Sequence, residues 1–136
     1  MKPFIKLKTL FMFALGGLGY VLLMLSVMLF YKDDPEQMNW QDREAFNARI
    51  INKLDPQEQH LQDDIIKRLG VPDITAALKQ QNTIYQLLYY RTHWKVADGI
   101  TTADECTPLL FRDRKLIAKG DAAIEHYKSL GAVSIF

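Results

Sequence analysis

Three residue types in this chain match those of a thiol-dependent catalytic site. Cys106 is the only cysteine, His93 falls on a neighbouring predicted strand, and Asp98 or Asp104 could supply an acid. A thiolate nucleophile needs a base within hydrogen-bond reach and an acid that orients that base. No nucleophile elbow, glycine-rich oxyanion loop or second domain accompanies these residues. We therefore expect no enzymatic activity and no catalytic residue.

The histidines do not have the spacing of a metal site either. His60, His93 and His126 fall on three different predicted elements, and one cysteine excludes a multi-cysteine site. The sequence therefore predicts no metal and no cofactor. In an oxidising compartment the Cys106 thiol is either buried or able to cross-link two chains.

A polar segment after the Asp98-Gly99 turn has two interpretations. Thr101, Thr102, Asp104 and Glu105 carry hydroxyl and carboxylate groups, which beside a turn commonly bind local backbone amides. The functional alternative is a loop whose polar groups contact a partner. Arg91 is the cation expected to pair with Asp104 or Glu105.

An aromatic stripe is the second candidate contact surface. The segment from Thr83 to Trp94 is rich in residues that favour strands, and one of its faces carries Tyr85, Leu87 and Tyr89. We expect helices to cover the opposite face of the sheet. The stripe is then either core or an exposed surface that binds a partner.

These residues are preceded by a long apolar segment. Residues 9–31 contain no charge and, as a helix, span roughly 33 Å, which matches a bilayer core of about 30 Å. The segment is longer than a signal-peptide core and ends in bulky residues, so we predict a retained membrane anchor rather than a cleaved signal.

The charges on the two sides of this segment predict its orientation. The N-terminal flank has three lysines and no acid, whereas one lysine and three acids follow Tyr31. By the positive-inside rule, residues 1–8 are cytoplasmic, residues 9–31 cross the inner membrane, residues 32–38 form a linker and residues 39–136 form a periplasmic domain.

The remaining part of the chain is long enough for one small domain. A formal net charge of +1 provides no basic field for nucleic acid. We predict a helix from Trp40 towards Leu54 capped by Asn39, and a second helix that starts at the capping box of Asp55–Glu58 and ends at Gly70. Residues 74–82 are expected to form a loose turn or loop.

The predicted fold class is α+β. After the membrane helix, two short helices pack on a three-stranded antiparallel meander with strands near 83–94, 105–111 and 116–118, followed by a short C-terminal helix. Residues 132–136 either add a strand edge or remain unpaired.

Two sequence segments resemble a known family. Leu69-Gly70-Val71-Pro72-Asp73 is similar to the LGxPD element of the BamE-like (SmpA/OmlA) family of small envelope proteins. Residues 98–109, DGITTADECTPL, resemble a functionally uncharacterised bacterial branch of that family. The resemblance covers roughly residues 39–120 and implies a domain that binds other proteins. The lipid-anchor cysteine of a lipoprotein is missing here, and the membrane helix takes its place.

We therefore expect a single-pass inner-membrane protein that contacts other envelope proteins, as an assembly factor or as an accessory subunit of a membrane complex. Its partners are expected to be the membrane and envelope or membrane-complex proteins, with no nucleic acid and with a homo-oligomer as a further possibility. The alternative is a domain that binds a small ligand or a peptidoglycan fragment on an open sheet face.

Overall fold

The structure, a computed structural model, describes residues 6–131, and the tail 132–136 lies outside the described residues. The chain divides into two compact units, Met1–Asp33 and Asp34–Phe136. The described elements, in chain order, are α1 (Leu7–Phe30), α2 (Trp40–Asn52), α3 (Gln62–Leu69), β1 (Ile74–Gln80), β2 (Thr83–Arg91), a 3₁₀ turn (Ala103–Glu105), β3 (Cys106–Arg112), β4 (Lys115–Lys119) and α4 (Asp121–Ser129).

The first unit consists of the apolar helix α1. Its 24 residues agree with the predicted segment 9–31, and none of them is buried. The Ser26 hydroxyl of this helix donates a hydrogen bond to the carbonyl of Leu22 at 2.8 Å, so it is paired within the helix itself. The helix is long and apolar enough to cross a membrane, and near an N-terminus the same features fit either an anchor or a signal sequence.

The second unit contains a four-stranded antiparallel sheet with the order β1-β2-β3-β4. The prediction of three strands is wrong because residues 74–82 form β1 and a turn instead of a loop. Ile74, Ala76 and Leu78 alternate with exposed neighbours, and all seven residues of β1 pair in regular register with β2. The two alanines in the middle of β1 hide this alternation, since alanine is depleted in strands.

Two helices cover one face of the sheet, as predicted. Asn39 caps α2 by accepting a hydrogen bond from the Asp42 amide at 2.8 Å, which confirms the predicted start. The buried residues of this layer are Phe46, Ile50, Ile51, Leu54, Ile65, Leu69, Leu88, Tyr90, Leu109, Phe111 and Leu116.

The helix α3 starts later than its sequence signal indicates. The Asp55 carboxylate accepts a hydrogen bond from the Gln57 amide at 2.9 Å, but the chain makes only an isolated turn there. Leu61 forms an isolated β-bridge with Lys115 in β4. The backbone groups that make this bridge are then not available for the hydrogen bonds of a helix that starts earlier. The predicted end is confirmed, because Gly70 follows α3 with a φ of +80°.

The second face of the sheet is covered by α4, the predicted short C-terminal helix, whose position on this face was not predicted. Gly120, with a φ of +65°, starts the turn that returns the chain over this face. Ala123 and Tyr127 of α4 are buried there. The buried residues of this layer are Tyr85, Leu87, Tyr89, Cys106, Leu110, Ala118, Ala123 and Tyr127. The domain is therefore a sheet with a helix layer on both faces.

Candidate interaction surface

A buried carboxylate organises the loop that joins β2 to β3. The Glu105 side chain is only 2% exposed. Its Oε1 accepts hydrogen bonds from the backbone amides of Lys95 at 2.9 Å and Val96 at 3.2 Å, and Oε2 accepts one from the Thr102 amide at 3.5 Å. The Glu105 side chain thus binds backbone amides both before and after the tip of the loop. These amides, those of Lys95 and Val96 first, lower the pKa of Glu105, and the Arg91 charge lowers it further.

Arg91, at the end of β2, pairs with this carboxylate. Its Nη2 lies 3.7 Å from Glu105 Oε2, and its Nε lies 3.6 Å from Glu44 Oε2 in α2. The guanidinium also lies 5.2 Å from the ring centroid of Trp40, in a cation-π arrangement. Asn47, fully buried in α2, donates a hydrogen bond from Nδ2 to the Arg91 carbonyl at 3.0 Å. Arg91 therefore connects α2, β2 and the loop.

The other polar residues of the loop bind one another. The Thr102 hydroxyl donates a hydrogen bond to Asp104, and Lys95 Nζ lies 3.0 Å from the second Asp104 oxygen. These two contacts, that of Thr102 first, lower the pKa of Asp104. Thr101 is 3.5 Å from Arg91 Nη1. The interpretation that these hydroxyls and carboxylates bind local groups thus agrees with the observed contacts, and the predicted cation of Glu105 is Arg91.

The loop and its surroundings expose large apolar side chains. Trp94 is 53% exposed, Val96 60% and Ile100 63%, although the loop that carries them is bound by Glu105. Trp40, which contacts Arg91, and Val71, whose carbonyl accepts a hydrogen bond from Arg43 at 2.7 Å, lie at the same end of the sheet. We call this set the apolar end, defined by Trp40, Val71, Trp94, Val96 and Ile100.

The aromatic stripe has no such exposure. Tyr85 is 9% exposed, Leu87 1% and Tyr89 5%, because α4 covers the face that the sequence analysis left open. Burial is also the first cause of the raised pKa of Tyr89. Of the two interpretations, core is correct, and the three residues cannot contact a partner while α4 is in place.

Cys106 and His93 do not come together as a nucleophile and base. Cys106 lies in the layer under α4, where burial raises the pKa of its thiol to about 12. His93 Nδ1 is 3.1 Å from the Thr92 hydroxyl instead. Within residues 6–131, no three His, Cys, Asp or Glu side chains are grouped as a metal site requires.

A shallow groove of about 490 Å³ lies at the opposite end of the sheet. It is lined by Gln62, Ile84, Gln86, Asp113 and Arg114. Its charged groups are already engaged, since Arg114 Nη2 contacts both oxygens of Asp63, at 2.6 and 2.7 Å, and Asp113 accepts a hydrogen bond from the Ile84 amide. Gln62 Oε1 is buried without a hydrogen-bond partner.

Sequence reasoning missed the contribution of α2 to the surface. The helical period of the apolar residues in α2 places Glu44 and Asn47 on its polar side, whereas Asn47 is fully buried and Glu44 faces Arg91. The helical repeat of apolar residues alone cannot reveal a buried polar contact with a residue that is distant in the sequence. The available signal for a contribution of α2 to the surface was Trp40, a large aromatic residue directly after the helix cap.

Comparison with known proteins identifies a family whose function is unknown. Residues 25–126 match the family described as a protein of unknown function, DUF3192. The match spans most of the chain, so the protein belongs to this family. No curated protein and no solved structure matches it. The resemblance to BamE-like proteins stays a prediction.

Proposed function

We propose that this protein is a membrane-anchored module that binds another protein of the cell envelope through the apolar end of its folded domain. In this proposal α1 remains in the inner membrane and the domain lies in the periplasm, as the flanking charges predict. The protein would act as an assembly factor or as an accessory subunit of a membrane complex, without an enzymatic step of its own.

The observation that carries the proposal is a fixed loop with exposed apolar side chains. Trp94, Val96 and Ile100 are each more than half exposed, on a loop whose two sides bind the buried Glu105. Apolar side chains that cluster on a surface mark sites of interaction, and tryptophan is enriched among the residues that dominate binding energy. A loop already fixed in its conformation loses less entropy on binding.

Site-specific photo-cross-linking in intact cells tests this proposal. A photoreactive amino acid replaces Trp94 in the full chain, and the matched control replaces Ile84, which is 49% exposed at the opposite end of the sheet. We expect one adduct of defined mass at position 94 and none at 84. Equal adducts at both positions, or none at 94, would contradict the proposed surface.

The anchor is tested separately. A reporter that is active only outside the cytoplasm, fused after Phe136, should be active and stay with the membrane fraction after an alkaline wash. Release of a shortened soluble product would show that α1 is a cleaved signal.

Binding of a small ligand or peptidoglycan fragment is a second candidate function. The sheet face expected to bind such a ligand is covered by α4, but the groove that contains the unpaired Gln62 oxygen offers another binding site. Added peptidoglycan fragments should then raise the melting temperature, and Gln62→Leu should abolish that rise.

A further inference from the structure

The two edges of the sheet differ in how they are covered. At the β4 edge, the Leu116 amide donates to the His60 carbonyl at 3.0 Å and the Gln62 amide donates to the Arg114 carbonyl at 2.8 Å. At the β1 edge, no segment within residues 6–131 pairs with the strand. An uncovered edge strand is a template for pairing with another strand.

The backbone of β1 presents a regular row of N–H and C=O groups at this edge. A two-residue turn, Gln81 and Asn82, joins β1 to β2, so its flanking pair Gln80–Thr83 is a hydrogen-bonded pair. Such pairs alternate along an antiparallel ladder. The N–H and C=O groups of Thr75, Ala77 and Lys79 therefore point away from β2, towards the open edge.

The side chains around this edge leave room for a further strand. Thr75, Ala77 and Lys79 are exposed on one face of the sheet. On the other face Ile74, Ala76 and Leu78 are only partly buried, although they pack against the layer under α4. A strand added at this edge would cover the part of these apolar side chains that is still exposed.

We propose that β1 pairs antiparallel with β1 of a second copy of this chain, about a two-fold axis at Ala77. In this register all seven residues of β1 are paired, and Lys79 of one copy lies opposite Thr75 of the other. Asp73 of the second copy is then the diagonal neighbour of Lys79, at about 7 Å. No like charges face each other, and each Lys79 comes near Asp73 of the other copy, whose Oδ2 accepts a hydrogen bond from its own Arg91 amide at 2.9 Å.

The use of the same edge by both subunits limits this assembly to two copies. A two-fold interface consumes the β1 edge of both chains, and at the other edge His60 and Gln62 pair with the chain at the start of β4. The two sheets would join into one of eight strands. This inference does not depend on the proposed function, because β1 lies outside the apolar end.

Cysteine cross-linking of the full chain in mild detergent tests the register. Residues opposite each other in a hydrogen-bonded pair have Cα atoms about 5.5 Å apart, which a disulfide can bridge. We expect Ala77→Cys to give a covalent dimer on mild oxidation. Lys79→Cys alone should not, but a mixture of Thr75→Cys and Lys79→Cys chains should. The native Cys106 is buried, with its thiol pKa raised to about 12, so it serves as the unreactive background.

A second pair of variants tests the backbone bonds. Ala77→Pro removes one outward N–H, whereas Ala77→Val keeps it and suits a strand. Light scattering should give the mass of one chain for the proline variant and of two chains for the valine variant. Absence of the Ala77→Cys dimer, or equal cross-linking of Ala77→Cys and of Lys79→Cys alone, would overturn the proposal even if the proline variant fails to fold.

Discussion

Arg91 Nη2 lies 3.7 Å from Glu105 Oε2, and this contact joins the last residue of β2 to the residue directly before β3. The chain between them carries Trp94, Val96 and Ile100, each of which is more than half exposed. Glu105 also binds three backbone amides of that chain. The conformation of the apolar loop therefore depends on one buried acid and its arginine.

Removal of the Glu105 charge should loosen the loop. Glu105→Gln replaces one accepting oxygen by an amide donor, so either the Lys95 and Val96 amides or the Thr102 amide and Arg91 lose their acceptor. We expect faster hydrogen exchange at the loop amides that lose their acceptor and earlier proteolysis between residues 92 and 102. Asp104→Asn, at a side chain that is 61% exposed, is the matched control and should change both rates little. Equal effects of the two variants would contradict the anchoring role of Glu105.

The lowered pKa of Glu105 predicts acid sensitivity. A carboxyl whose pKa is lower in the folded state stabilises the fold above the pKa of the unfolded chain, and this stabilisation is lost as the pH falls. The ordinary pKa of this group is 4.5. The urea midpoint should therefore change little between pH 7 and 5 and fall below about pH 4.5. Glu105→Gln should show a shallower fall, and identical acid profiles would argue against this contribution.

Gly70 should tolerate no side chain. Its φ of +80° and ψ of −163° lie in a region that only glycine adopts readily, at a cost of about 1–3 kcal/mol for other residues. A Cβ there would also lie 3.3 Å from Pro35 Cγ. Gly70→Ala should lower the free energy of unfolding by at least that strain. Gly99→Ala is the control, since Gly99 shares a positive φ of +73° but has no neighbour within 4 Å. An equal loss in both variants would show that the Pro35 contact adds nothing.

The parts of the fold that the sequence predicts correctly rest on local signals. Asn39 before Trp40 and Gly70 after Leu69 each act within a few residues, and both helix boundaries are observed. The start signal at Asp55 is equally local, but the pairing of Leu61 with Lys115 overrides it. A contact over more than fifty residues leaves no trace in a local pattern.

The same difference between local signals and long-range contacts is seen at the candidate site. The sequence predicts that Arg91 pairs with Asp104 or Glu105, and in the structure its partner of these two is Glu105. The stripe of Tyr85, Leu87 and Tyr89 stayed open between core and binding surface, since the sequence alone did not show that α4 packs on the second face. An apolar strand face is equally consistent with a core and with a binding surface until its covering element is known.

The burial of the second face can be tested at Tyr89. This residue is 5% exposed beneath α4, and a carboxylate at its position would be buried without a partner, which costs several kcal/mol. Tyr89→Glu should therefore unfold the domain, as measured by loss of the circular dichroism signal. Ile84→Glu is the matched control, because Ile84 is 49% exposed on the same strand and should accept the charge. A folded Tyr89→Glu variant would show that α4 can leave the sheet, and the stripe of Tyr85, Leu87 and Tyr89 would again be available as a binding surface.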